Sequence, residues 1–139
     1  MRQWGFDLFG LSMRRYSAAS LPAPFEWNAP AQTVFGRPYQ GDAVYLRDPM
    51  AAQTRDAPLC PPLSPHKILK LACLFECFGL PDHAAELILA NSDHLNTICV
   101  PQELLDILAI QIDPTVTNYH NYMEKFKADP TAFYRSRRQ

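Results

Sequence analysis

SPHKILKLACLFECFGLPDHAAELILANSDHLNTICVPQELLDILAIQID, residues 64–113, decides the fold. Proline is tolerated at the first helical position, where its missing N–H has no partner to lose, so each X-Pro step here marks a helix start. Ser64-Pro65 opens HKILKLACLFECF, which Gly79 stops. Pro81 opens DHAAELILA, ended by Asn91-Ser92, and Ser92 caps a short turn through DHLNTI. Pro101 opens QELLDILAIQI. Toward the C-terminus, Asp113-Pro114 opens TVTNYHNYMEKFKA and Asp129-Pro130 opens TAFYRSRR. Ser and Asp ahead of these prolines are good N-caps. Connections of about one to three residues force neighbouring helices into antiparallel or steeply crossed hairpins.

Residues 65–139 are therefore expected to form a small array of about four to five short helices, making the chain mainly α. No repeat of fixed period runs through the array, and it points to no family. In the first helix Ile68, Leu69, Leu71, Ala72, Leu74, Phe75 and Phe78 cover more than half the circumference. Leu104, Leu105, Ile107, Leu108, Ile110 and Ile112 do the same in the helix after Pro101. Helices this widely apolar are expected to be buried on several sides. So short an array cannot satisfy that internally, which calls for a partner surface or for cover from the rest of the chain.

Upstream, residues 21–64 hold most of the prolines: nine of thirteen lie between Pro22 and Pro65. Each removes a donor and pushes its predecessor toward extended geometry, which excludes helix. Thr33-Val34-Phe35 and Ala43-Val44-Tyr45-Leu46 are short strand candidates. The segment is not a flexible linker, because it is poor in Ser and Gly and carries an aromatic every few residues. It reads as an extended arm laid along a surface, each ring filling a pocket. The anchors expected to bind a partner are Phe25, Trp27, Phe35, Tyr39 and Tyr45, together with Trp4 and Phe9 ahead of the arm.

The first 20 residues, MRQWGFDLFGLSMRRYSAAS, carry three Arg against one acid, Asp7. Trp4, Leu8 and Leu11 at i, i+4 and i+7 would share a helix face, although Gly5 and Gly10 weaken a helix. An Arg-bearing, acid-poor, Ser-containing amphipathic start resembles a mitochondrial targeting segment, and Arg14-Arg15-Tyr16-Ser17 resembles a matrix-protease site with the cut after Tyr16. The alternative is a docking arm.

Charge limits the partners. From Leu71 to Glu124 there is no Lys or Arg but there are eight carboxylates, within a chain of net charge -1. An acidic centre repels nucleic acid and suits a basic protein. The basic tail Arg135, Arg137 and Arg138 is too short for a nucleic-acid site, and leaves peripheral contact with lipid headgroups open.

Chemistry is sparse. Cys73 and Cys77, one turn apart on one helix face, offer a thiol redox or metal reading, but no second pair matches them as zinc sites require. They read first as small buried residues between Leu71, Leu74 and Phe78. Cys60 and Cys99 are single, and His66, His83, His94 and His120 are scattered. Asp82, Glu86 and Asp93 place carboxylates beside His83 and His94 near helix starts, where the macrodipole already explains a carboxylate. Phosphate-cradling, nucleophile-elbow and zinc-helix motifs are missing. No catalytic residue, cofactor, metal ligand or small-molecule substrate is expected.

The expected function is that of a non-catalytic accessory subunit bracing its neighbours in a large mitochondrial complex at the inner membrane, a respiratory-chain complex or ATP synthase. The alternatives are a free-standing cytoplasmic adaptor binding one protein and, behind it, a thiol protein using Cys73 and Cys77.

Overall fold

The stretch expected to lie extended instead pairs with the start of the chain. The computed structural model describes residues 1–28, 32–50, 59 and 61–133, with Arg2 described by its backbone alone. The chain divides into two units, Met1–Cys60 and Pro61–Gln139.

In the first unit, β1 (Phe6–Tyr16) and β2 (Arg37–Arg47) form a two-stranded antiparallel sheet. This corrects the expected mainly α fold with an extended arm: five helices accompany a β-hairpin. It also replaces the helix drawn through Trp4, Leu8 and Leu11, of which only a short 3-10 turn, Arg2–Trp4, is present. Glycine inside a helix costs about 1 kcal/mol relative to alanine, and Gly5 and Gly10 both fall in that window. Tyr45 and Val44 favour a pleated strand. Ala43–Leu46 lies inside β2 as read, but the strand is far longer.

Two register shifts interrupt the ladder, between Leu8 and Gly10 and between Arg14 and Arg15. Phe9 is the extra residue of the first. At the second, Arg14 pairs with Gln40 and Arg15 with Pro38, leaving Tyr39 over. Pro38 is tolerated there because both strands of a two-stranded ribbon are edges and a bulge adjoins it. The Tyr39 ring stands edge-on to Tyr16, centroids 5.1 Å apart.

Residues 17–28 and 32–36 are tied to one another. Phe25 bridges Thr33, and the Val34 amide donates to the Pro24 carbonyl. Thr33, the one buried polar residue described, donates its amide to the Arg15 carbonyl. Its hydroxyl lies within reach of the Arg15 and Phe35 carbonyls, at 3.1 and 2.6 Å. Gly36 closes the loop at φ 135°, where a Cβ would stand 2.4 Å from the Tyr16 carbonyl oxygen. Gly36→Ala is thus expected to cost about 1–3 kcal/mol of local stability, read as lost hydrogen-exchange protection at the Thr33 amide. Unchanged protection there would mean that the turn has another way to close.

The second unit follows the proline punctuation. Helices α1 (Pro65–Cys77), α2 (Pro81–Ala90) and α4 (Pro101–Ile112) each begin at their proline, with α3 (Ser92–Leu95) a single turn. Gly79, at φ 71°, ends α1 in a Schellman motif. The Leu80 amide donates to the Phe75 carbonyl and the Gly79 amide to that of Glu76. The Ser64 side chain makes no cap bond, and Asn91 rather than Ser92 precedes α3.

Asp113-Pro114 does not open a helix. The Asp113 carboxylate accepts the Thr115 amide and hydroxyl, holding a turn. Helix α5 (Tyr119–Ala128) waits for Asn118, whose side chain accepts the Asn121 amide. Asp129 accepts the Thr131 amide in the same way, ahead of a 3-10 turn, Pro130–Phe133. The core is built on α1, α2 and α4: Ile68, Leu71, Ala72 and Phe75 of α1 meet Ala84, Leu87 and Ile88 of α2, with Leu95, Leu105, Leu108, Ala109 and Val116 beside them. The expectation that α1 and α4 are buried on several sides is corrected: Leu74, Phe78, Ile107, Ile110 and Ile112 are exposed.

Candidate docking surfaces

Side chains alternate across a strand, so the register assigns every residue of the hairpin to a face. Phe6 and Leu8 lie opposite Arg47 and Tyr45; past the extra Phe9, Leu11 and Met13 lie opposite Ala43 and Gly41. All of these share one face. Without the bulge, a strict two-residue period would send Leu11 and Met13 to the other side. Phe6, Leu8, Leu11, Met13 and Tyr45 thus form a continuous apolar strip, and each is between 37 and 60 % exposed. Gly41 keeps the strip flush, for a Cβ there would meet the Met13 sulfur at 2.6 Å. The opposite face carries Val44 and the buried Leu46 as well as Ser12, Gln40 and the ion pair Arg14–Asp42, N to O 3.8 Å.

Of the residues expected as anchors, only Tyr45 belongs to this strip. Phe9 and Tyr39 are the extra residues at the two register shifts, and Trp4 precedes the hairpin in the 3-10 turn. Phe25, Trp27 and Phe35 sit in the connection, all exposed. The sequence reading missed Phe6, Leu8, Leu11 and Met13. Their spacing, two pairs at i, i+2 separated by three, is the mark of a strand carrying one bulge.

Two grooves lie among the described residues of the helical unit. One, of about 610 Å³, runs between α2, α4 and α5 and is lined by Leu89, Leu108, Ile112, Tyr119, Tyr122 and Met123, with Asp82 and Glu86 also in its lining. The Asp106 carboxylate on α4 accepts the Tyr119 amide at 2.9 Å, which fixes the first turn of α5 as the third wall. Phe133 packs edge-on to Tyr122 and Phe126, with centroids 5.3 and 5.2 Å away.

The second groove, of about 240 Å³, has α1 and α4 as walls and Ala84 and Ile88 of α2 as its floor. Cys73 and Cys77 stand in its α1 wall. Both are exposed, which corrects the reading of them as buried filler. Glu76 lies between them in the sequence and lines the same groove.

Among the described residues no group of three His, Cys, Asp or Glu is placed to hold a metal ion, and no helix is long and apolar enough to cross a membrane. His83 faces Asp82, Nδ1 to Oδ1 3.1 Å, and His120 faces Glu124 at 3.2 Å. Cys60 and the basic residues Arg135, Arg137 and Arg138 lie outside the described residues.

The ion pair between Lys125 and Asp113 carries a pH dependence. The Lys125 ammonium donates to Asp113, with Thr115 adding its hydroxyl and amide, and together they hold the Asp113 carboxyl at about 2 against an ordinary 3.8. A carboxyl held low in the folded chain contributes stability that is fully present above 3.8 and is lost as pH falls through about 2. Lys125→Met is expected to lower the melting temperature modestly at neutral pH, and the gap to wild type should close as pH falls through that range. A gap that persists at the acid end would assign it to the lysine's alkyl chain instead.

Comparison of the chain with protein-family models, with curated proteins and with solved structures found no match.

Proposed function

We propose that this chain is a non-catalytic accessory subunit that docks into a larger protein assembly through the apolar face of its N-terminal hairpin. The strip Phe6, Leu8, Leu11, Met13 and Tyr45 carries the reading. A two-stranded hairpin is marginal in water unless its apolar face is covered, and fully burying one such side chain is worth about 1.5–3 kcal/mol. A partner sheet or helix laid on this face gains that area and stabilises the hairpin in the same step.

The test is a pair of double variants in the full chain. Leu11→Asp with Met13→Asp places charge on the strip; Ser12→Lys with Gln40→Glu alters the other face of the same strands, each new charge facing its opposite across the ladder at Asp42 and Arg14. In size fractionation of an extract from cells that express the chain, wild type and the second variant should run with a large assembly and the first should run free. A first variant that stays in the assembly, or a wild type that runs alone, overturns the reading.

The assembly we favour is mitochondrial, a respiratory-chain complex or ATP synthase. Its support is the composition of residues 1–20, rich in Arg and poor in acid. Fusion of those residues to a reporter should direct it to mitochondria, and a reporter left in the cytosol would remove that support.

A further inference from the structure

We infer that Cys73 and Cys77, in the α1 wall of the groove between α1 and α4, hold one Cu(I) ion as a pair of thiolates. The site is a different surface from the hairpin face, so either reading can fail alone. Both thiols are exposed, and both line the same groove. Residues four apart on a helix have Cβ atoms about 5–6 Å from each other, whereas a disulfide needs about 3.5–4.5 Å. A direct S–S bond between them therefore requires the helix to distort. That turn is held from behind: Phe75, between the two cysteines, is 1 % exposed, and Leu71 and Ala72 just ahead of them are buried as well. An ion placed between the sulfurs adds two metal–sulfur bonds to the reach and closes the gap with the helix intact.

The donor set selects the ion. Thiolates favour soft metals, namely Cu(I), zinc and iron–sulfur clusters. Zinc sites and clusters ask for three or more protein ligands. Here two come together, and among the described residues no group of three His, Cys, Asp or Glu is placed to hold a metal. Glu76, between the cysteines in sequence, keeps its Oε2 shut away from solvent, and the Cys99 thiol donates to the Leu95 carbonyl. Apart from Glu76 and Gln111, the rest of the lining is apolar. Cu(I), with its filled d shell, is satisfied by two sulfur donors, so the pair is complete as it stands. Each thiol gives up its proton to solvent as the ion binds, and the copper stays Cu(I) throughout.

The test is competition for Cu(I) between the reduced full chain and the chromophoric chelator bicinchoninate, without oxygen and with Cys60 and Cys99 replaced by Ser. This parent chain should withdraw one equivalent of copper, keep its elution volume in size fractionation, and show two sulfur neighbours by X-ray absorption. Cys73→Ser or Cys77→Ser should weaken binding by more than about a hundredfold, since even outer-shell changes cost metal sites about 10–100-fold. A decoy, Cys77→Ser with Phe78→Cys, keeps two thiols but sets the second about 140° round the helix from the first. It should bind as weakly as the single variants. Cys73, Cys77 and Phe78 are all exposed, so each variant should keep the parent's helical signal. A decoy that binds like the parent would mean adventitious thiol-bound copper only, and overturns the inference. So does a third sulfur neighbour, a copper-linked dimer, a parent that withdraws no copper, or a Cys73–Cys77 disulfide that forms readily in air.

Discussion

Phe75→Ala should strip the helical unit of about 3–5 kcal/mol, whereas Phe78→Ala, three residues on, should change it by no more than about 0.5 kcal/mol. Phe75 lies on the last turn of α1 and Phe78 is its C-cap, yet Phe75 is 1 % exposed and Phe78 51 %. Phe75 is among the four largest fully buried side chains, with Ile68, Leu87 and Leu95, and its ring lies 5.7 Å from that of His83 on α2. It therefore joins the two helices that the Schellman turn at Gly79 brings together. Truncation leaves a cavity at that joint, and the backbone cannot collapse into it while the Leu80 amide remains tied to the Phe75 carbonyl. Domains have only about 5–15 kcal/mol of stability in total, so the variant should melt far below wild type. The readout is chemical denaturation of the full chain followed by its helical signal. Equal losses for Phe75 and Phe78 would show that α1 packs on a different face.

The contrast between these two residues marks the boundary of what the sequence discloses. Pro65, Pro81 and Pro101 announce three helix starts because the constraint is local and covalent. Asp113-Pro114 misleads, since the same aspartate that caps a helix also holds a turn when Thr115 offers both an amide and a hydroxyl. Which stripe of α1 is buried is harder still. With apolar residues around more than half the helix, only the i, i+3, i+4, i+7 set Ile68, Leu71, Ala72 and Phe75 meets α2, and the others remain for the surface. Cys73 and Cys77 fall on that surface, which is why the reading of them as core failed.

The hairpin was less legible for a different reason. Its strands are separated by residues 17–36, so their pairing is non-local, and two bulges break the alternation that would betray each strand. Trp4, Leu8 and Leu11 fit a helical period as well as a bulged strand. The choice falls to partners that a local reading does not see: Val44 and Tyr45 across the ladder, and Thr33 on the Arg15 carbonyl.

That arrangement makes a sharp prediction for the chain beginning at Ser17, the product of a cut after Tyr16. It should lose the hairpin altogether. Removing β1 strips β2 of every ladder partner from Arg37 to Arg47. It also takes away the Arg15 carbonyl that holds Thr33 and the Tyr16 ring that packs on Tyr39. A lone strand has no means of pairing its backbone, so hydrogen-exchange protection across residues 37–47 should vanish. The helical unit has its own buried core. Association with the assembly should disappear with the strip, since Phe6, Leu8, Leu11 and Met13 go with β1. The proposed docking face and the protease-like site at Arg14–Ser17 thus make opposing demands on the same residues. Intact mass of the protein recovered from its assembly separates them: a chain retaining Phe6–Tyr16 is required if the hairpin docks, and a chain starting at Ser17 that still assembles would end that proposal.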